Sequence, residues 1–117
     1  MGVTYVEAKV TGSTGESQTV RFLVDSGAKY SLLPTKVWRA LGLKPQREMD
    51  FVLADGTVIE RKVSECLFSY QGVEAHSPVI LGQRGDEALL GAVTLETLGL
   101  VLNPFDRTLQ PARMVLA

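Results

Sequence analysis

With 117 residues, 45% of them hydrophobic and 21% charged, the chain has the length of one domain spanning 1–117, too short for a second core or for a deep two-lobed cleft of its own. Twelve Lys and Arg against thirteen Asp and Glu leave no basic surplus to neutralise a phosphate backbone, so nucleic acid is not an expected partner. One cysteine, Cys66, and one histidine, His76, exclude an internal disulfide and a structural zinc site of several ligands.

No apolar run reaches the ~18 residues of a membrane span, and Met1 to Val10 lacks the basic start and apolar stretch of a leader. The expectation is a mature, cytoplasmic chain with no membrane partner. Tyr5 to Val10 alternates bulky and charged residues and predicts a half-exposed strand, turned by Thr11 to Glu16 into a returning strand over Thr19 to Val24. That apolar run stops at Asp25-Ser26-Gly27-Ala28, where the chain must turn. Pro34-Thr35 opens a short helix over Lys36 to Leu41, in which Val37, Trp38 and Leu41 share an apolar face and Gly42 with Leu43 closes the end. Asp50 to Ala54 and Val58 to Tyr70 are β-like and joined through Asp55-Gly56, a strong hairpin signal. The run Glu60-Arg61-Lys62 predicts that this hairpin projects into water on both faces.

Gly72 marks the next turn, Ser77 to Leu81 a buried strand, and Gly82 to Glu87 a polar loop. Ala88-Leu89-Leu90 then meets Gly91, and Val93 to Leu98 forms a second helix ended by Gly99-Leu100. Val101-Leu102, an Asn103-Pro104 turn and the residues from Thr108 complete the strands. The pattern predicts a mainly β fold, a closed or nearly closed barrel with a projecting hairpin and one or two short helices. Val37 to Leu43 and Thr94 to Leu100 both end a helix on Leu-Gly-Leu. Two readings stand: a duplicated half-domain, or coincidence, since Leu-Gly is a common helix ending.

Asp25 is the residue that asks for a chemical explanation. It follows Arg21-Phe22-Leu23-Val24 at the end of a strand that must be largely buried, where a carboxyl is costly unless something compensates. Gly27 allows close backbone approach, and the Ser26 hydroxyl can fix the loop or a neighbouring chain. Alone, Asp-Ser-Gly is ordinary turn chemistry. Its company is not ordinary: Phe22-Leu23-Val24-Asp25-Ser26-Gly27-Ala28, then Leu32-Leu33-Pro34, then Ala88-Leu89-Leu90-Gly91 ahead of a helix.

This ordered set resembles the single-domain aspartic proteases of retroviral type (retropepsin-like, clan AA), over roughly Thr19 to Leu109. The resemblance implies that Asp25 is catalytic within an active-site loop of Ser26, Gly27 and Ala28. It makes Leu90-Gly91 the strand that supports this loop. It also places the hairpin tip at Asp55-Gly56 as a flap over a peptide or protein substrate, with Val58, Leu89 and Ala28 on the pocket walls. Family chemistry needs two carboxylates sharing a proton, and the chain has one such triplet, so the resemblance implies a homodimer with no metal or organic cofactor. The sequence also departs from the pattern. Lys29-Tyr30 stands where retroviral enzymes carry acids, and Ala92-Val93 where they carry an arginine, so the ion pair that braces those dimers cannot form. The Asp55-Gly56 tip is less glycine-rich than a retroviral flap. Tyr5 to Val10 and Arg113 to Leu116 remain as candidate interface strands.

Cys66 and Trp38 read as core residues, Glu96 as a solvated or dimer-contact residue, and Lys29 as a loop charge or a substrate contact at the cleft edge. The main rival to the enzyme is a non-catalytic dimerisation or peptide-binding module of the same fold, in which Asp25 only orders its loop. A small barrel binding oligonucleotides or sugars would need exposed aromatics and basic residues on one face, and ranks last.

Overall fold

The computed structural model describes residues 3–112. Alternation builds the first hairpin: β1 (Tyr5–Thr11) buries Ala8 and Val10, and β2 (Ser17–Val24) buries Val20, Phe22 and Val24, while Glu7, Lys9, Thr19 and Arg21 between them face water. The two pair antiparallel from Tyr5 opposite Leu23 to Thr11 opposite Ser17. After the loop that carries Asp25 come β3 (Ser31–Leu33) and helix α1 (Thr35–Ala40). The helix is closed by Gly42 at φ 69° with the Leu43 amide on the Trp38 carbonyl, a left-handed glycine cap. Strand β4 (Arg47–Val52), the long β5 (Val58–Tyr70) and β6 (Val73–Leu81) form two consecutive hairpins. The second turns through Gln71 and Gly72, both at positive φ, which matches the right-handed twist of the flanking strands. Strand β7 (Leu89–Leu90) leads into helix α2 (Ala92–Leu98), and β8 (Leu100–Asn103) with β9 (Thr108–Pro111) makes a separate two-stranded sheet.

The strand order is β1-β2-β7-β3-β6-β5-β4, and β1 also pairs with β5 over Lys9 to Thr11. Pairing therefore runs in a closed circuit through six strands, with β4 outside it as the outer arm of the projecting hairpin. The circuit encloses Val10, Phe22, Leu33, Leu41, Phe68, Val79 and Leu90, all fully buried, with the Phe22 and Phe68 rings 5.8 Å apart. Burial of these side chains is the main stabilising term.

Three details differ from the sequence reading. Strand β4 starts at Arg47 and β6 at Val73, earlier than expected, because pairing with β5 recruits residues of low strand propensity. The projecting hairpin is not wet on both faces. Glu48, Asp50, Glu60 and Lys62 are exposed, whereas Met49, Phe51, Ile59 and Arg61 are half-covered, since that face leans toward the Asp25 loop. Of the candidate interface strands, Tyr5 to Val10 is β1, paired along its length with β2, and Arg113 to Leu116 lies outside the described residues.

The Leu-Gly-Leu echo extends through the fold. Leu23 pairs with Leu89 as Ile80 pairs with Leu32, and Val24 pairs with Leu90 as Leu81 pairs with Leu33, at one constant offset along the chain. The Asp25 amide donates to the Leu90 carbonyl (3.0 Å) as the Gly82 amide donates to that of Leu33 (2.8 Å), and Gly42 and Gly99 cap the two helices at the same φ of 69°. These swapped contacts favour the duplicated half-domain over coincidence.

Candidate active site

Asp25 sits where β2 leaves the sheet, half-buried, its amide on Leu90 and the amide of Val24 on the Thr4 carbonyl at 2.8 Å. The turn closes when the Ala28 amide donates to the Asp25 carbonyl (3.1 Å) and the Gly27 amide donates to Asp25 Oδ1 (3.0 Å). A Cβ at position 27 would lie 3.2 Å from that same oxygen, so glycine keeps the carboxyl uncrowded. No protein hydrogen bond reaches Oδ2 among the described residues. The carboxyl thus has one oxygen fixed and one available. Ser26 is exposed beside it and Ala28 half-buried.

The loop is braced from behind by α2. In the first turn of the helix, the amides of Ala92 and Val93 donate to the carbonyls of Ala28 (2.8 Å) and Lys29 (2.9 Å), which satisfies donors that a helix start leaves unpaired. Backbone bonds therefore hold the loop to the helix where the sequence lacks an acid–arginine pair. Gly91, between Leu90 and the helix, is buried so closely that a Cβ there would lie 2.6 Å from the Tyr30 carbonyl group and 2.9 Å from the Ala28 oxygen. Only glycine fits.

A second brace was not legible in the sequence. The Gly91 amide donates to Ser31 Oγ (2.9 Å), Ser31 Oγ lies 2.5 Å from Thr94 Oγ1, Thr94 Oγ1 lies 2.8 Å from Ser77 Oγ, and Ser77 Oγ donates to the Pro78 carbonyl (3.2 Å). One direction of donation satisfies every member, from Gly91 through Ser31, Thr94 and Ser77 to Pro78, and all three hydroxyls are buried. The chain ties β3, α2 and β6 together directly under the loop.

The projecting hairpin reaches the loop through Phe51, whose ring meets Tyr30 edge-on at 5.9 Å. At its tip Gly56 adopts φ 87° and the Thr57 amide donates to Asp55 Oδ1 at 2.9 Å. Hydrogen bonds from Thr57 hold the Asp55 carboxyl below the usual carboxylate range. Val58 is 59% exposed, on the face with Glu60 rather than with Ile59, and pairs with Val52. Leu89 is half-buried between Leu23 and Leu32, and Leu90 is fully buried. Cys66 is a core residue whose thiol burial pushes up to about 12, and His76 is at the surface with Nδ1 3.6 Å from Glu65 Oε1. Among the described residues no three His, Cys, Asp or Glu side chains converge as a metal site would need.

Comparison with known proteins places this geometry. The family model described as aspartyl protease matches residues 6–94. A search of curated proteins finds no significant match. Among solved structures, the EIAV protease in complex with the inhibitor HBY-793 superposes with a TM-score of 0.65 at 17% identity, covering 98% of this chain and 94% of that one. The simian foamy virus (mac) protease gives 0.57 at 20% identity, over 80% and 92%. The retroviral protease-like domain of Ddi1 from Leishmania major gives 0.54 at 15% identity, over 97% and 92%. These likenesses establish a retropepsin-like fold, and with a family match that spans the Asp25 loop, the projecting hairpin and the start of α2, the chain belongs to the aspartyl protease family.

Proposed function

We propose that the chain is an aspartic endopeptidase that works as a homodimer, with the Asp25 carboxyls of two copies meeting across a two-fold axis. The observation that carries this reading is the Asp25 loop itself: a carboxyl at the end of a buried strand, one oxygen held by the Gly27 amide and the backbone braced by α2. Two such groups a few ångströms apart share one proton. The ionised carboxyl takes a proton from water as its oxygen attacks the peptide carbonyl, and the protonated one donates to the carbonyl oxygen. Collapse of the tetrahedral intermediate breaks the C–N bond and returns a proton to the leaving amine. No metal or organic cofactor enters these steps, and activity falls as pH rises and the shared proton is lost.

The second carboxyl has no source within the described chain. Asp55, Asp86 and Asp106 each accept a hydrogen bond from the backbone of their own turn, at Thr57, Gln83 and Thr108. The surface we assign to the second copy is the β8–β9 sheet, which pairs with no other strand among the described residues and whose turn carries Phe105, 97% exposed. The occupant of the cleft is a peptide or protein substrate in extended form, gripped by backbone hydrogen bonds. The Asp55-Gly56 tip and Val58 close from the hairpin side and Leu89 and Ala28 form the apolar walls, with Leu90 and Gly91 as the support behind. The one cysteine is a free buried thiol, which suits the reducing cytoplasm.

Replacing Asp25 by Asn tests the reading. The variant is expected to stay folded and dimeric and to lose all cleavage of a peptide library between about pH 3 and 7. Cleavage that survives Asp25→Asn refutes it, and wild-type protein that binds peptide without cutting it leaves the non-catalytic module.

A further inference from the structure

A groove of about 800 Å³ opens between the base of the projecting hairpin, α1 and the loop from Gly82 to Gly85. Its floor is fixed: the Thr35 hydroxyl and the Trp38 indole both donate to the Gly82 carbonyl at 2.9 Å. By the internal pairing symmetry, Gly82 holds in the second half of the chain the place that Asp25 holds in the first. Around this second loop there is no catalytic acid. Five cations from three segments line it instead, Lys36 and Arg39 from α1, Arg61 and Lys62 from the hairpin, and Arg84 from the loop. Among the described residues none of the five forms an ion pair with a carboxylate, in a chain whose net charge is −1. This positive charge is a local feature, not a background.

We propose that this groove binds an acidic segment of the polypeptide substrate, at a distance from the bond that is cut; its assignment to the substrate rests on the function proposed above. Two carboxylates, Glu48 and Glu60, lie on the hairpin side of the groove. They repel one another, which raises the Glu60 pKa. A phosphate polymer offers only acceptors and would meet them unfavourably. A peptide brings backbone N–H donors for these two carboxylates and acidic side chains for Arg39 and Arg84. The hairpin is the shared wall: Glu48, Glu60 and Lys62 on its exposed face and Arg61 on its half-covered face border the groove, and Phe51, on the same face as Arg61, touches Tyr30 of the Asp25 loop.

Trp38 is the only tryptophan and its indole is part of the floor, so its emission reports occupancy directly. The Asp25→Asn protein, which spares the probe from cleavage, is titrated with an Asp/Glu-rich decapeptide, a Gly/Ser decapeptide and inorganic tripolyphosphate. The acidic peptide is expected to give a saturable change that weakens with salt and is at least roughly tenfold weaker on the Arg39→Glu/Arg84→Glu variant. Both side chains are exposed, and an unchanged thermal melt confirms the fold. Equal affinity for the variant, no saturable change, or tighter binding of tripolyphosphate than of peptide overturns the proposal. In wild-type protein, an acidic tail on a cleavable peptide is expected to lower KM several-fold, and to do so only while Arg39 and Arg84 are present. No gain from the tail overturns the assignment to substrate. If nothing is cleaved, the titration still decides the groove while the enzymatic reading fails.

Discussion

Thr94→Val isolates the hydroxyl chain beneath the Asp25 loop. Valine keeps the shape of threonine and removes only Oγ1, which lies fully buried 2.5 Å from Ser31 Oγ and 2.8 Å from Ser77 Oγ. Ser31 loses the acceptor for its proton and Ser77 loses a donor, though Ser31 keeps the Gly91 amide and Ser77 keeps Pro78. Two buried hydrogen bonds with their stranded partners place the cost at about 2–4 kcal/mol. For a chain of this size that is a fall in Tm of roughly 10 °C. Urea denaturation measures the first quantity and a thermal melt the second. Thr94→Ser, which restores the hydroxyl and removes a methyl, is expected to cost about 1 kcal/mol. Because the chain donates in one direction, the Ser31→Ala/Thr94→Val/Ser77→Ala triple variant should lose less than the sum of its single variants. A Thr94→Val protein as stable as wild type, with Thr94→Ser the weaker of the two, would show that methyl packing and not the hydroxyl chain holds α2 under the loop.

Gly91→Ala drives a methyl to 2.6 Å from the Tyr30 backbone, and the expected loss is about 3 kcal/mol or more, read by urea denaturation, with cleavage lost alongside it. The Cys66 thiol has its pKa raised from 9.0 to about 12 in the folded chain, so the unfolded state releases the proton first and stability falls as pH rises from 9 toward 12. Cys66→Ala should flatten that alkaline limb of a stability–pH curve, and rapid labelling of Cys66 by a thiol reagent in the native protein would contradict its burial. On the proposed dimeric reading, wild-type and Asp25→Asn protein mixed equally and allowed to exchange subunits should retain about one quarter of the activity, because only like wild-type pairs would carry both carboxyls. A fall to about one half would mean that each chain acts alone.

Legibility followed the range over which each signal acts. Asp55-Gly56, Gly42 and Gly99 announce a tight turn and two helix ends through local backbone chemistry, and all three adopt positive φ where the sequence placed the break. The apolar run ahead of Asp25 marked its strand as largely buried, and Phe22 and Val24 are buried. The start of β4 was hidden because Arg47-Glu48-Met49 extends only through its partner Arg61-Lys62-Val63. The wet-or-dry sense of the hairpin faces was hidden because it depends on Tyr30, which meets Phe51 only in the folded chain. Ser31, Thr94 and Ser77 come from three elements, and no spacing in the sequence links them. The basic groove is hidden for the same reason, since its cations are scattered over half the chain and an overall charge of −1 averages them away.

The internal symmetry also bears on why the proposed reading calls on a second copy of the chain. The fold builds the same frame twice: β2, a loop, β3 and α1, then β6, a loop, β7 and α2, with mutually swapped parallel pairings. In the first frame the loop begins with Asp25, and in the second with Gly82. A side chain at 82 has no room, since its Cβ would lie 2.6 Å from the Leu33 oxygen and 2.7 Å from Leu32 Cδ2, and the Gly82 carbonyl is already taken by Thr35 and Trp38. Placing a second acid there would break the β3–β6 junction that closes the circuit of strands. On the proposed reading, a second copy of the chain supplies the missing carboxyl and leaves that junction, and the floor of the basic groove, intact.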